Sequence, residues 1–318
     1  MTRAIVVANV AAPGVSAATV VRTATTLRRA GWEILTVTTG DPDEIRADAA
    51  QARREELDAV VVLGGDGTVM LVATTLVGSK TLLGIIPGGT GNLLAGTLGI
   101  SRNPQVAANQ LVHAQPRQID LGRVEWDGLP YHFGVACGAG FDARIMAGAS
   151  RAEKRRWGRA AYAASFVREL RKVENAKITL TVDGERHELE AAVAMVTNCG
   201  ELLPGLLRPA YPVSPDDGIL DIFCLRADGV FETIRGIRTL LHRTKPGADR
   251  HGRTHVYSGR EILIASDPPM PVELDGSVLG STPVLIRTIP KALTILAPPP
   301  PASAAERLSI GLPTVRRR

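Results

Sequence analysis

Residues 60–70 read VVVLGGDGTVM. An apolar, β-branched run ends in Gly64-Gly65-Asp66-Gly67-Thr68, and an apolar segment resumes at once. The first run has the pattern of a buried strand and the second that of a helix, so the glycines form a strand-to-helix turn. Glycine lets a backbone turn tightly and approach a ligand with no side chain between. Successive N–H groups at the start of a helix make an anion site. A bare anion site would repel Asp66, whereas Mg²⁺ lying between Asp66 and a phosphate would accommodate it. Thr68 can add a hydroxyl. A plain turn with Asp at a cap explains the same residues without a ligand.

A second loop repeats the form. IIPGGTGNLLA (85–95) gives strand, proline, glycines, then Gly89, Thr90 and Asn92 at a helix start. Either loop alone is an ordinary turn, but two at neighbouring strand ends can surround a triphosphate. Neither is the Gly-x-x-x-x-Gly-Lys-Ser/Thr loop; Gly78-Ser79-Lys80-Thr81 precedes a strand and lacks the upstream glycine. A dinucleotide-type Gly-x-Gly-x-x-Gly is absent from the first strand–helix turn.

Around these loops strand and helix alternate. AIVVANV (4–10), WEILTVTT (32–39), DAVVVLGG and TLLGIIPGG read as strands. Between them, residues 16–30 suit a helix capped by Ser16 and ended by Gly31, and 41–57 one capped by Asp41 with Pro42 at its first position. Short connections between alternating elements predict an α/β, doubly wound parallel sheet, with ligands at the carboxyl ends of its strands. Near residue 120 the pattern changes to short strand-like runs broken by Asp-Gly and Pro turns, VDGERHEL among them as a hairpin. The expected division is 1–122 as a nucleotide-binding domain, 123–298 as a mostly antiparallel β-sandwich with a helical insertion at about 150–173, and 299–318 as a flexible basic tail. A second helix is expected at 229–242.

Composition narrows the classes. Aromatics at 4% are too few for platforms that stack single-stranded nucleic acid. The formal net charge of +5 favours anionic partners without choosing among them. Cys137, Cys199 and Cys224 lie far apart, without metal-ligand spacing, and suit a reducing cytosol. The first residues read as a strand rather than a signal peptide. No run approaches the roughly 18–20 apolar residues that span a bilayer. The expected location is cytoplasmic with peripheral association at the inner membrane surface. His251 and His255 are four apart, but Gly252 and a loop-like composition argue against a metal pair.

GGDGT (64–68), PGGTGN (87–92), GAGFDA (138–143), SPDDGILD (214–221) and VELDG (272–276) occur in that order. The ordered set resembles the diacylglycerol kinase catalytic-domain family, which includes soluble bacterial lipid kinases and sphingosine kinases, from the first strand to about residue 297. GGDG alone is shared with phosphofructokinases and NAD kinases. The resemblance implies ATP and Mg²⁺ in a cleft between the two domains. It places Thr38, Gly64, Gly65, Asp66, Gly67, Thr68, Val69, Met70, Gly89, Thr90 and Asn92 at the nucleotide. Asp66 would hold Mg²⁺, with Asp120 as an extension of the metal network or simply a turn cap. Asp275 matches an acid of the catalytic segment, assigned here as the base that takes the acceptor's proton. Ser214 and Ile219, by their carbonyls, and Asp217, by its carboxylate, match a second, structural Mg²⁺ site; an ordinary Asp-Gly turn fits those residues equally.

Several positions depart from the family. Leu71 stands where a Glu is usual, Leu93 where many members have Asp, and Ser277 where the segment often has Glu. The first-strand Asn-Pro-x-x-Gly pattern is altered to Asn9-Val10-Ala11-Ala12-Pro13-Gly14. Each of the first three removes a carboxylate near the expected metal or base.

The segment 150–172 carries eight basic residues against Glu153 and Glu169, with Trp157, Tyr162 and Phe166 among them. A basic, aromatic helix suits an anionic membrane surface, though a solvated helix packed on the sandwich has the same composition. The resemblance also implies a helix here that carries a lysine, a glycine and a tyrosine, at Lys154, Gly158 and Tyr162. The expected activity is therefore ATP-dependent phosphorylation of a hydroxyl on a diacylglycerol-like or long-chain lipid at the membrane surface. Two other functions stay open: a kinase of a soluble acceptor such as NAD, and a nucleotide- or lipid-binding protein without turnover. Nucleic acid is not an expected partner, and a homodimer is left open.

Overall fold

The structure, a computed structural model, describes residues 1–140, 174–201, 211–242 and 245–299. The first part runs β1 (Arg3–Ala8), α1 (Ala17–Arg29), β2 (Glu33–Thr39), α2 (Pro42–Arg54), β3 (Ala59–Gly64), α3 (Asp66–Leu76), β4 (Leu82–Pro87), α4 (Leu93–Thr97) and α5 (Pro104–Val112). The caps do what the sequence asks of them. Ser16 Oγ accepts from the Thr19 amide, and Asp41 Oδ1 from the Asp43 and Glu44 amides. The strands pair in parallel in the order β2-β1-β3-β4, with α1 packed beside α5 and α2 beside α3. The chain leaves β1 toward α1 and leaves β3 toward α3, which belong to different helix pairs. The crevice between the carboxyl ends of β1 and β3 is thus the topological switch point, where open α/β sheets bind ligands. The helix expected after the second loop is two: α4 has only five residues, and α5 starts afresh with Asn103 as cap and Pro104 at its first position.

The second part runs β5 (Gln115–Trp126), β6 (Leu129–Phe133), β7 (Ala136–Ala139), β8 (Ala176–Val182), β9 (Glu185–Ala191), β10 (Val193–Thr197), β11 (Leu220–Leu225), α6 (Val230–His242), β12 (Gly247–Ala248), β13 (Thr254–Gly259), β14 (Glu261–Asp267), β15 (Pro271–Leu274), β16 (Ser277–Ser281) and β17 (Val284–Ala297). The VDGERHEL hairpin forms as β8 and β9, and Asp183 and Gly184 both take positive φ at its turn. A seven-stranded sheet, β12-β13-β11-β10-β7-β15-β16, faces β8, β14 and the outer parts of β5 and β17. The core between them draws Cys137, Val196, Ile222 and Val272 from one sheet and Val124, Ile178, Ile262 and Ile286 from the other.

The parallel sheet does not end at β4. β17 pairs with β14 through Val284–Arg287 and, after a bulge, lies parallel to β4 through Ile295 and Leu296. β5 follows β17 along its length, so two long strands carry one sheet from the first part into the second. Asp120 sits opposite the bulge and is 1% exposed. Its Oδ1 accepts from the Lys291 amide at 2.7 Å and its Oδ2 from the Gly218 amide at 2.6 Å. It therefore fastens the bulged strand and the SPDDGILD loop to β5. Asp120→Ala leaves both amides without their acceptor; at about 1.5–3 kcal/mol for each charged hydrogen bond, the expected loss of stability is roughly 3–6 kcal/mol. Denaturant unfolding of the purified variant measures it, and a midpoint equal to wild type contradicts this role.

Candidate active site

The site starts from backbone. Gly64 is the last residue of β3 and Gly65 precedes α3 with no side-chain cap on the helix. The first intrahelical bond runs from the Val69 amide to the Gly65 carbonyl, which leaves the amides ahead of it to face outward. Gly67 is exposed, and nothing lies within 4 Å of where its Cβ would be. The second loop lies against the first: the Gly88 amide donates to the Gly64 carbonyl at 2.8 Å, and a Cβ on Gly89 would fall 2.5 Å from Gly65 Cα. Only glycine permits that approach.

Asn92 holds the second loop. It takes φ 51°, and its side chain accepts from the Gly89 amide at 3.0 Å and donates to the Gly89 carbonyl at 2.7 Å. It fixes its own turn instead of capping α4. Thr90 is exposed beside it. A third loop joins from β1: the Gly14 amide donates to the Gly88 carbonyl, and Asn9 Nδ2 donates to Thr68 Oγ1 at 3.0 Å. Thr68 is buried but keeps its hydroxyl proton to donate. The Asn9–Thr68 bond spans the switch point.

Two acids near these loops lie close enough for one to feel the other's charge. Asp66 Oδ1 accepts from the Leu94 amide at 3.3 Å, so the acid ties the first loop to the start of α4. Burial raises its pKa against the pull of the amides at 92–94. Asp275 stands at the tip of the β15–β16 hairpin with φ 46°. It accepts from the Val135 and Ala136 amides at 3.2 and 3.0 Å, and more weakly from Gly134 at 3.4 Å. Burial pushes it up to about 7 despite those amides, and the Asp66 charge adds to the rise. Cys199 donates to the Gly134 carbonyl at 3.1 Å; burial first, then the charges of Asp275, Asp66 and Glu201, push its thiol pKa up. Glu201 is 1% exposed and meets Arg102 Nη2 at 2.8 Å.

These residues fit Mg²⁺ together with a polyphosphate. Asp66 and Asp275 are desolvated acids whose charges oppose each other, beside an open anion cradle. No three His, Cys, Asp or Glu side chains converge on a metal position among the described residues. Mg²⁺ commonly takes one or two carboxylates and completes its shell with phosphates and water.

Other expected residues stand elsewhere. Val69 and Met70 are 3% and 6% exposed in the core, and the Val69 amide is already used by the helix. Their side chains pack in the N-terminal core behind the loop. Thr38 lies at the carboxyl end of the edge strand β2, with its hydroxyl donating to Asp48 of α2. Asp120 has both oxygens on backbone amides and stands with the SPDDGILD loop. In that loop Ser214 Oγ donates to Asp216, Asp216 pairs with Arg117 at 2.7 Å, and Asp217 accepts from the Ile219 amide at 3.2 Å. Burial raises the Asp217 pKa, with Asp120 and Asp216 adding to it. Leu71 and Leu93 pack against the N-terminal core, and Ser277 is exposed. The basic segment 150–172, with Lys154–Gly158–Tyr162, the end of GAGFDA and the tail beyond 299 lie outside the described residues.

Asn9, Glu201 and the amides of 134–136 were not among the expected site residues. The altered Asn-x-x-x-Pro-Gly end of β1 marks Asn9 in sequence; nothing local marks the others.

Comparison with known proteins agrees with this architecture. Residues 3–124 match the model of the diacylglycerol kinase catalytic domain, and residues 135–297 that of the YegS C-terminal NAD kinase beta sandwich-like domain. A diacylglycerol kinase of Mycobacterium tuberculosis is 31% identical over 86% of this chain and 87% of its own length. An uncharacterized protein of Synechocystis is 29% identical over 75% of this chain; the chain spans about half of that longer relative, 54%. The crystal structure of a diacylglycerol kinase from Bacillus anthracis superposes with a TM-score of 0.71 at 23% identity, covering 93% of this chain and 97% of that one, a likeness of fold.

Proposed function

The chain belongs to the diacylglycerol kinase catalytic-domain family, and on that premise we propose that it transfers the γ-phosphoryl group of ATP to a hydroxyl of a diacylglycerol-like or long-chain lipid at a membrane surface. The observation that carries the reading is the contact of the two glycine loops beside the switch point, with Asp66 tied to the second loop's helix and Asp275 near enough to feel its charge. The chain divides accordingly, residues 1–122 holding the nucleotide and 123–298 the acceptor.

Each group has a task. The amides of Gly65, Gly67 and Thr68, the Thr68 hydroxyl and the Gly89–Thr90 turn steady the phosphates. Asp66 would hold Mg²⁺, which when bound would neutralise charge on the transferring phosphoryl group. Asp275 accepts the proton of the acceptor hydroxyl as its oxygen forms the new bond to phosphorus; the bond from phosphorus to the β,γ-bridging oxygen breaks, and ADP leaves. A base with a pKa of about 7 suits that step, because a substantial fraction is unprotonated near neutral pH while it is still basic enough to take the proton. Asp217, with the Ser214 and Ile219 carbonyls, would hold a second, structural cation.

Purified protein with labelled ATP, Mg²⁺ and mixed vesicles containing diacylglycerol is expected to yield labelled phosphatidate. Absence of label in every lipid class contradicts the reading. Leu71 and Leu93, apolar and packed into the core, favour a second possibility: nucleotide binding without transfer. It predicts calorimetric binding of ATP and no product. Label in NAD or another soluble acceptor, with none in lipid, would assign the acceptor differently.

A further inference from the structure

The outward stripe of α6 has no part in the fold or in the site above. Its other face is accounted for. Thr233 and Leu240 are buried, Leu240 joins Phe223 and Val256, and a Cβ on Gly236 would fall 2.6 Å from Leu225 Cδ1. At about 100° per residue, Phe231, Arg235, Arg238 and His242 fall in one sector of about 60° on the opposite side, with Ile234 about 40° beyond it. Phe231 is 82% exposed and Ile234 47%. Single exposed apolar residues need no explanation, but this pair adjoins a hollow of about 480 Å³ lined by Arg235, Arg238, Thr239, His242 and Arg253.

The hollow is cationic. Glu232 meets Arg235 at 2.7 Å and Arg253 at 2.8 Å, and Asp249 also reaches Arg253 at 3.5 Å. Two acids thus position two guanidinium groups, while no described carboxylate forms an ion pair with Arg238. Between residues 229 and 255 six basic residues stand against two acidic ones, an excess of four where the whole chain has five. No helix among the described residues is long and apolar enough to cross a membrane. A helix with one buried face and one basic, aromatic face has the chemistry of an interfacial element: cations meet headgroup phosphates, and aromatic and aliphatic tips enter the boundary beneath them. Nucleic acid offers similar phosphates, but Ile234 next to Phe231 provides aliphatic surface that base stacking does not use.

We propose that this face of α6 docks the protein on an anionic phospholipid bilayer, with Arg235, Arg238 and Arg253 on lipid phosphates and Phe231 and Ile234 in the headgroup–acyl boundary. The inference rests on the reading of a membrane-borne acceptor, and its test separates the two. Sedimentation of the full chain with vesicles of phosphatidylglycerol and phosphatidylcholine, against phosphatidylcholine alone, measures partition. Wild type is expected to prefer the anionic vesicles. Phe231→Ser combined with Arg238→Glu is expected to lower that partition tenfold or more, since each basic residue near such a surface is worth roughly fivefold. The same variant is expected to keep the wild-type melting temperature and wild-type transfer to diacylglycerol dispersed in detergent micelles. Equal binding by variant and wild type, equal binding to neutral vesicles, or binding to a single-stranded oligonucleotide without binding to anionic vesicles overturns the proposal. If the variant loses partition while neither protein phosphorylates any lipid, the docking face stands and the kinase reading falls.

Discussion

Asp66→Asn is expected to lower kcat for phosphoryl transfer about 10³-fold or more while leaving the fold intact. The two halves of that expectation have different origins. The amide oxygen of Asn can still accept from the Leu94 amide, now received at 3.3 Å, so the first loop remains tied to α4. A neutral amide, however, is a poor partner for Mg²⁺ that must also carry the charge of a polyphosphate. Burial already raises the carboxyl's pKa, so replacing it with a neutral group relieves a desolvation cost rather than creating one. Single-turnover kinetics with saturating Mg²⁺ and ATP, alongside a thermal melt, measure both. A variant that melts like wild type and retains more than a tenth of its rate would remove Asp66 from the metal's support.

Asp275→Asn is expected to cost about 10²–10⁴-fold in kcat/KM, the usual range for loss of a general base. The left-handed backbone at this position, φ 46°, is one that Asn adopts readily, so the hairpin should form. The wild-type pH profile supplies the more specific signature. The carboxylate must be ionised to take the proton, and burial holds its pKa at about 7. Activity is therefore expected to rise with pH, to be half-maximal at about 7 and to level roughly a unit above it, and the residual activity of the variant is expected to lose that limb. Stability should move the other way. With a folded pKa raised above the ordinary value of 3.8, the native state binds more protons than the unfolded chain in that interval. The contribution of Asp275 to stability is then complete at low pH and is lost as pH rises through about 7. Asp275→Asn is expected to melt no lower than wild type at pH 8. A pH profile of the same shape in variant and wild type would assign the proton to another group.

How much of this was legible in the sequence depends on how local its cause is. Ser16, Asp41-Pro42 and the Asp183-Gly184 turn specify their elements through neighbours a few residues away, and each forms as its pattern predicts. The two glycine loops were legible as strand ends, and parallel pairing of β3 with β4 brings them together. Their contact, Gly89 against Gly65, follows from that register. Asn103-Pro104 is also a local signal, strong enough to divide the last helix in two once Gly99 is read as a stop.

What the sequence hides is held by distant partners. Nothing near Ile295 says that β17 will lie beside β4, about two hundred residues away in the chain. The role of Asp120 depends on amides at 218 and 291, and that of Asp275 on amides at 134–136. Those partners, and not the residues around each acid, fix where the two carboxylates sit. Val69 and Met70 follow the loop in sequence, and helical geometry turns their side chains into the core.

The central claim is that Asp66 and the two touching glycine loops together hold a metal-bound triphosphate. A crystal structure with Mg²⁺ and a non-hydrolysable ATP analogue tests it most directly. The account predicts the phosphates against the amides of Gly67, Thr68 and the Gly89 turn, with Mg²⁺ on Asp66 directly or through one water. A triphosphate bound away from both loops, or a metal with no link to Asp66, would contradict it.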